Sequence, residues 1–227
     1  MSILIGILGV VVFLGLAFLM SNKKKSINYK SVAIMLGLQV VIALFMFRTD
    51  VGLFIIETIS GAFATVISYG NEGVNFVLGD LMIVEGGSVF FLDVLMIIIF
   101  TSALLSILTF SGVLPVAIKY VGGLMAKITG LPKVENFNAV NSVFFGQSEA
   151  LLAIKTPLPT MPICRVFRVT TSAMAAVSAS LTGAYFTMLE PSYVLLAMLL
   201  NMFNGLIVAS IIAPLEKNEI DEQLEVD

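Results

Sequence analysis

The chain has 227 residues, of which 59% are hydrophobic and 12% are charged, and its net charge is −3. Its mean hydropathy of +1.06 excludes an ordinary soluble domain, and several apolar runs approach the roughly 20 residues that cross a bilayer core of about 30 Å. The composition therefore predicts an all-α polytopic membrane protein. The single cysteine, Cys164, excludes an internal disulfide, and the lack of histidine removes the usual ligands of zinc and haem.

Residues 1–113 are predicted to form a scaffold-like group of helices. Three apolar runs in this part are long enough to predict membrane spans: about 3–20, 32–47 and 89–110. The run at about 51–67 mixes apolar residues with Glu57 and Thr58. It predicts an amphipathic helix lying at the membrane interface and not a full span.

Residues 114–213 are predicted to form a second group of helices. A second interfacial helix comes first, and two apolar half-segments then meet at Gly146 within residues 131–165. Each half-segment is too short to span, which predicts a re-entrant helical hairpin, because paired half-helices interrupted by Gly or Pro mark the binding sites of transporters. Two further spans are predicted at about 166–189 and 193–213, which brings the total to about five.

The predicted span 166–189 is rich in small and hydroxyl residues. Such a sequence suits close helix packing, and it could equally unwind locally and expose backbone carbonyls. After the last span, residues 214–227 are predicted to form an acidic cytoplasmic tail, because six of the twelve residues from Glu216 to Asp227 are acidic.

The placement of Lys and Arg predicts the orientation of the chain in the cytoplasmic membrane. With the amino terminus outside, eleven of the twelve cations lie on the cytoplasmic side, and Arg48 alone lies outside. This agreement requires residues 131–165 to enter and leave the membrane on the same side, as a hairpin does.

Glu149 is the residue with the clearest functional interest. It ends the polar run Gly146-Gln147-Ser148-Glu149 in a strongly apolar chain. An ionisable group at membrane depth costs a few kcal/mol and is usually functional. The alternative is a residue at the interface on the flank of a helix, and the neighbouring Gln147 together with the predicted hairpin favours a functional role.

Three segments resemble the concentrative nucleoside transporter family. They are Phe137-Asn138-Ala139-Val140 through Gly146-Gln147-Ser148-Glu149, Gly73-Val74-Asn75-Phe76-Val77-Leu78-Gly79, and Ser178-Ala179-Ser180-Leu181-Thr182-Gly183-Ala184-Tyr185. The resemblance covers essentially the whole chain and is greatest to bacterial proton-coupled nucleoside permeases. Family members have about 400 residues in two related halves. The resemblance therefore implies the N-terminal half of that fold, with residues 114–213 as half of its transport domain.

The resemblance implies a solute-binding site at the hairpin tip. In the family the tip of the first hairpin binds the nucleobase, which assigns base recognition to Gln147, Ser148 and Glu149. The same comparison assigns an apolar contact to Leu181, in the helix that follows. A nucleobase edge presents both donors and acceptors, which an amide and a carboxylate can match.

A cation site is implied next to it. The family's sodium site uses backbone carbonyls of the hairpin and the next helix plus a hydroxyl, at positions that match Ser142, Phe145, Ala176 and Val177. The hydroxyl position is Ala176 here, which weakens the case for sodium. The resemblance therefore favours a proton carried by Glu149 as the coupling ion; sodium remains the alternative, no metal site is certain, and no cofactor is expected.

Two functions remain open at this level. The first is nucleoside uptake by cation symport, with partners that would include the nucleoside, membrane lipid, two further copies in a homotrimer and a separate C-terminal half, but no nucleic acid. The second is a truncated or split, non-transporting scaffold or assembly subunit of the membrane. An enzyme is not expected, because the sequence presents no arrangement of nucleophile and base.

Overall fold

The computed structural model describes residues 2–79, 83–84, 87–88, 90–186 and 188–215. The helices in these ranges are α1 (Ser2–Leu19), α2 (Tyr29–Arg48), α3 (Asp50–Leu78), α4 (Phe90–Phe110), α5 (Val113–Thr129), α6 (Lys133–Phe145), α7 (Gln147–Ala153), α8 (Ile163–Ala175), α9 (Thr182–Phe186) and α10 (Pro191–Ile212). Short 3-10 helices lie at Lys24–Ser26, Leu158–Thr160 and Ala179–Leu181. The two-residue strands β1 (Ile83–Val84) and β2 (Gly87–Ser88) pair antiparallel.

The predicted helical membrane architecture is confirmed, since every described element apart from the short β1–β2 pair is a helix. Three described helices, α2, α3 and α10, are long and apolar enough to cross a membrane. Residues 95–110 of α4 and all of α5 pass the same test together, but they bend by 81° between Phe110 and Val113. Gly112 adopts a positive φ of 78° at this bend, which is a conformation that glycine takes at little cost.

The helix predicted at about 51–67 is longer than expected. It forms α3 and continues to Leu78, over 29 residues and about 44 Å at 1.5 Å per residue. Gly61, Gly70 and Gly73 do not interrupt it; it ends at Gly79, which has a φ of 48°. The predicted end near residue 67 was therefore wrong. α3 is also long and apolar enough to cross a membrane, which the predicted interfacial helix was not.

The span predicted at about 166–189 is not one continuous helix. α8 ends at Ala175, the backbone is extended at Ala176 and Ser178, and a 3-10 turn leads into α9 at Thr182. The local unwinding considered as an alternative is therefore what occurs. The acidic tail predicted at 214–227 lies outside the described residues, except for Pro214 and Leu215.

α10 lies at the centre of the bundle and places the other helices. It runs antiparallel to α2, because the ring of Tyr193 lies 5.2 Å from that of Phe47 at one end while the N–H of Asn22, which precedes α2, donates to the Ile212 carbonyl at the other. Between these ends, Gln39 Nε2 donates to the Leu200 carbonyl at 2.9 Å. The largest apolar core joins α10 to α2, α5 and α6 through buried residues such as Met35, Ile118, Val140 and Leu206.

Residues 131–165 have the geometry of a re-entrant hairpin. α6 and α7 are separated by Gly146 alone, and the chain then returns to its starting level. Glu135 at the beginning of α6 binds Arg165 at the beginning of α8 with an N–O distance of 2.9 Å. The segment therefore enters and leaves at the same end of the bundle, as the distribution of cations required.

Two cations used in that distribution do not lie in solvated loops. Arg165 is 0% exposed and Arg168 is 1% exposed. Arg165 binds Glu135, and Arg168 Nη2 donates to Ser210 Oγ at 2.6 Å. Their burial removes both from the solvated charges that the positive-inside rule counts, because each is neutralised or hydrogen-bonded inside the bundle. The orientation of the amino terminus stays a prediction that rests on the remaining cations.

Cysteines introduced singly at Ser26 and Ser192, in a Cys164→Ser background, are expected to react with a membrane-impermeant maleimide from opposite faces. Ser26 lies near the end of the bundle marked by Asn22 and Ile212, whereas Ser192 lies at the other end of α10, about 33 Å away for a 22-residue helix. With the amino terminus outside, only Ser192→Cys should be labelled in intact cells. Labelling of both from one face would contradict this topology.

Candidate functional site

Gly146 forms the tip of the hairpin. Its φ of 84° is reached easily by glycine alone, and its N–H donates to the Ser142 carbonyl at 2.9 Å. A Cβ atom at this position would lie 3.1 Å from the Cβ of Ser178. The tip therefore needs glycine for two reasons, and it rests directly on the segment that interrupts the helix after α8.

The three residues proposed for base recognition follow this glycine. Gln147, Ser148 and Glu149 open the first turn of α7, and all three are exposed. Together they present an amide, a hydroxyl and a carboxylate, a mixed set of donors and acceptors. The described part of the chain holds these groups in one turn but does not cover them.

The interruption between α8 and α9 is stabilised by side chains from two other helices. Asn201 Nδ2 of α10 donates to the Ala175 carbonyl at 2.7 Å, and Thr101 Oγ1 of α4 donates to the Ser180 carbonyl at 2.8 Å. Backbone groups freed inside an apolar bundle need such partners, because each unsatisfied group costs several kcal/mol in hydrocarbon. The extended backbone at Ala176 is thus held by its surroundings.

The structure brings the ends of α6 and α8 together. Phe145 is the last residue of α6, and Ala176 and Val177 follow α8 directly; all three are partly buried. Leu181 ends the 3-10 turn and is 38% exposed. The contact between Gly146 and Ser178 joins these two groups, so residues predicted from separate segments meet at one place.

The residues predicted to bind a cation offer some of the oxygen ligands that a cation needs, but not all of them. Ser142 is fully buried and its Oγ donates to the Asn138 carbonyl at 2.6 Å, so its lone pairs remain as acceptors. Ala176 supplies no side-chain oxygen. Hard cations prefer several oxygen ligands, and the described residues contain no group of three or more Asp, Glu, Cys or His that could hold a metal ion.

Buried polar atoms without a partner lie on the same face of α6. Asn138 Oδ1 and Asn141 Nδ2 make no hydrogen bond within the described residues, although both side chains are buried. Asn138 Nδ2 is used, because it donates to the Val169 carbonyl at 3.0 Å. Unsatisfied atoms of this kind require an explanation such as water or a bound solute.

Four residues that support the site were given no role from the sequence: Glu135, Asn138, Thr101 and Asn201. Glu135 could have been recognised from the sequence, because it is an ionisable group inside an apolar segment. Thr101 and Asn201 could not, because a single polar residue on a span reveals its partner only once the helices are packed.

Gly146→Ala is expected to lower the thermal unfolding midpoint of the purified protein. The new methyl group would meet Ser178 at 3.1 Å and would sit at a φ of 84°, a conformation that costs an L-residue roughly 1 kcal/mol or more. Gly61→Ala is the matched control, because its added Cβ meets nothing within 4 Å in the middle of α3. An unchanged midpoint for Gly146→Ala would contradict the tight contact.

Two family models match the chain. One is described as the N-terminus of Na+ dependent nucleoside transporters and matches residues 8–81. The other is described as nucleoside recognition and matches residues 91–192. Their boundary falls just before the main part of α4, and together they include the hairpin and the interrupted helix.

Curated relatives match the chain over nearly all of its length. The purine nucleoside transport protein NupG of Bacillus subtilis is 32% identical over 222 residues, which cover 98% of this chain and 56% of that protein. The nucleoside permease NupC of Helicobacter pylori is 31% identical, with coverage of 94% and 53%. Sodium/nucleoside cotransporter 1 of Rattus norvegicus is 32% identical, with coverage of 81% and 28%. The chain thus spans about half the length of the bacterial relatives.

Solved structures agree with these relatives. CNTnw in an inward-facing substrate-bound state superposes with a TM-score of 0.90 at 30% identity, over 99% of this chain and 56% of that one. A variant of CNTnw in an outward-facing state gives a TM-score of 0.88 at 32% identity, with coverage of 96% and 55%. The sequence and structural matches together show that the chain belongs to the concentrative nucleoside transporter family and corresponds to its N-terminal half.

Proposed function

We propose that the chain serves nucleoside uptake across the cytoplasmic membrane by cation symport, as the N-terminal part of a concentrative nucleoside transporter. The observation that carries this proposal is the hairpin tip at Gly146, seated on the interrupted helix at Ser178. Half-helix ends present unpaired backbone groups and dipoles to a solute, which is how many transporters build a site near the bilayer midplane.

Gln147, Ser148 and Glu149 are the residues proposed to read the base. An amide can donate and accept toward a nucleobase edge at the same time, and a carboxylate accepts from ring or exocyclic N–H groups. Leu181 supplies an apolar surface on the neighbouring segment, where it is 38% exposed. Because the three polar residues are exposed in this chain, a further part of the transporter would close the pocket over them.

A proton is the coupling ion that we propose. Glu149 is the ionisable group among the proposed base-reading residues, so a proton carried on its carboxylate can be gained or lost as solute binds. Ala176 lacks the hydroxyl that a sodium site would use, which speaks against sodium. If sodium binds instead, we propose that the positions Ser142, Phe145, Ala176 and Val177 would hold it, mainly through backbone carbonyls, because Ala176 stands where the hydroxyl would be.

The assembly is also a proposal. Apolar side chains of α1 are largely exposed, among them Leu4 at 72% and Phe13 at 71%. Surfaces of this kind need lipid or protein around them in a membrane. We propose that lipid, two further copies of the chain in a homotrimer and a C-terminal half cover the exposed apolar faces.

Glu149→Gln is expected to abolish proton-driven accumulation in a transporting assembly while weakening nucleoside binding only moderately. The amide keeps the shape and much of the hydrogen bonding but removes the titratable group. Solute and proton drive each other only through a reciprocal coupling, typically about 1–3 kcal/mol. Gln147→Ala is the matched comparison, and it should weaken binding and leave the coupling intact. Uptake by proteoliposomes under an imposed pH gradient, with and without sodium, measures both.

Two results of that experiment would contradict the proton proposal. The first is accumulation that follows a sodium gradient alone. The second is undiminished pH-driven accumulation by Glu149→Gln.

Residues 1–227 expressed alone are not expected to concentrate nucleosides. An affinity that depends on two sets of contacts falls sharply when only one set is present, and the chain aligns with about half of NupG. Uptake of labelled uridine by transporter-deficient cells is the measurement. Uptake well above vector would show that copies of this chain complete the pocket. No uptake after co-expression of a C-terminal half would favour a non-transporting scaffold or assembly subunit.

A further inference from the structure

α6 and α8 lie side by side and run in the same direction. Four residue pairs connect the two helices and the residues just after them, and each pair is 30 to 34 positions apart in the sequence. Glu135 binds Arg165, Asn138 binds the Val169 carbonyl and Ser172, and Gly146 contacts Ser178. The nearly constant separation shows that the two helices keep one register along their length.

The contact at the base is a buried, two-point ion pair. Arg165 Nε donates to Glu135 Oε1 at 2.9 Å, and Arg165 Nη2 donates to Glu135 Oε2 at 3.1 Å. Both side chains are 0% exposed. A fork of two parallel bonds specifies orientation as well as distance, which a single point charge does not.

A gain in folding stability does not explain why this buried ion pair is present. Removing two charges from water costs several kcal/mol per ion, and well-packed apolar replacements are often as stable or more so. The best-attested advantage of a buried polar group is that it selects one register among several. The apolar residues that α6 and α8 share in one buried cluster, among them Val134 and Val169, attract each other without a preferred direction, so the two-point ion pair is the contact that specifies the register.

The Glu135–Arg165 ion pair, called the clamp below, lies equally far from the carboxyl-terminal ends of α6 and α8. Phe145 ends α6 ten residues after Glu135, and Ala175 ends α8 ten residues after Arg165, about 15 Å in each case. A slip of one residue would displace one end by about 1.5 Å against the other. That displacement would separate Gly146 from Ser178.

We propose that Glu135 and Arg165 are positioning residues, with Asn138 as a second tie, which set the register of α6 against α8 and so hold the hairpin tip level with the interrupted helix. What those ends bind rests on the proposed function. The register itself does not, and it can be measured without nucleoside or transport.

Disulfide crosslinking in the full chain measures the register. In a Cys164→Ser background, Val143→Cys is paired in turn with a cysteine at each position from 177 to 180. Val143 packs against the cluster that contains Ala179, so crosslinking should peak at position 179. The double variant Glu135→Leu/Arg165→Met removes the ion pair and fills its buried position with apolar side chains. We expect the yield at 179 to fall about two-fold or more and neighbouring yields to rise, because registers about 1.5 Å apart become populated.

Gln39→Leu is the matched control. It removes a neutral hydrogen-bonded tie between α2 and α10, away from the α6–α8 contact, and should leave the crosslinking profile unchanged. Single-peak elution and the unfolding midpoint establish that each variant is folded. If the apolar pair does not fold, Arg165→Lys replaces it, because it keeps the charge and loses the fork, and it should broaden the profile partway.

Two results would overturn the proposal. One is a profile that stays sharp at position 179 in the folded apolar pair, or in Arg165→Lys where that variant replaces it. The other is equal broadening in Gln39→Leu, which would mean that any lost polar tie loosens the bundle. Either result would leave the proposal for nucleoside transport standing.

Discussion

A helix that is interrupted inside an apolar bundle must find partners for the backbone groups that it frees. This constraint governs the arrangement of the chain around Ala176. Asn201 binds the Ala175 carbonyl and Thr101 binds the Ser180 carbonyl, so α10 and α4 have to lie where their polar side chains can reach. Because the Ala175 and Ser180 carbonyls already accept hydrogen bonds from these side chains, the extended backbone between them can stay unwound at the candidate site.

Close approach of the backbone supports the same place. Gly146 lets the hairpin tip meet Ser178, and Gly205 lets α10 approach α8, since a Cβ there would lie 3.0 Å from the Ser172 Cα. Small residues at helix contacts permit this approach where no hydrophobic force draws helices together within lipid. α8 is thereby enclosed between a parallel neighbour, α6, and an antiparallel one, α10.

The sequence was most informative where a local signal was sufficient. Gly146 between two short apolar segments predicted the hairpin and its tip correctly, because glycine ends both helices through its own backbone. The break after Ala175 was less visible, since no Gly or Pro marks it. The end of α3 near residue 67 was predicted wrongly, because the helix continues through Gly70 and Gly73 to Leu78.

By itself the sequence determined the helical membrane class, the family resemblance, the hairpin and the polar tetrad that ends at Glu149, because composition and local backbone preference act along the chain. Tertiary structure alone decided that Arg165 and Arg168 are buried and not solvated, and that Asn201 and Thr101 support the interrupted helix. The physical reason is that the cost of burying a charge or freeing a carbonyl depends on the partner brought from a distant helix, and sequence spacing does not contain that distance.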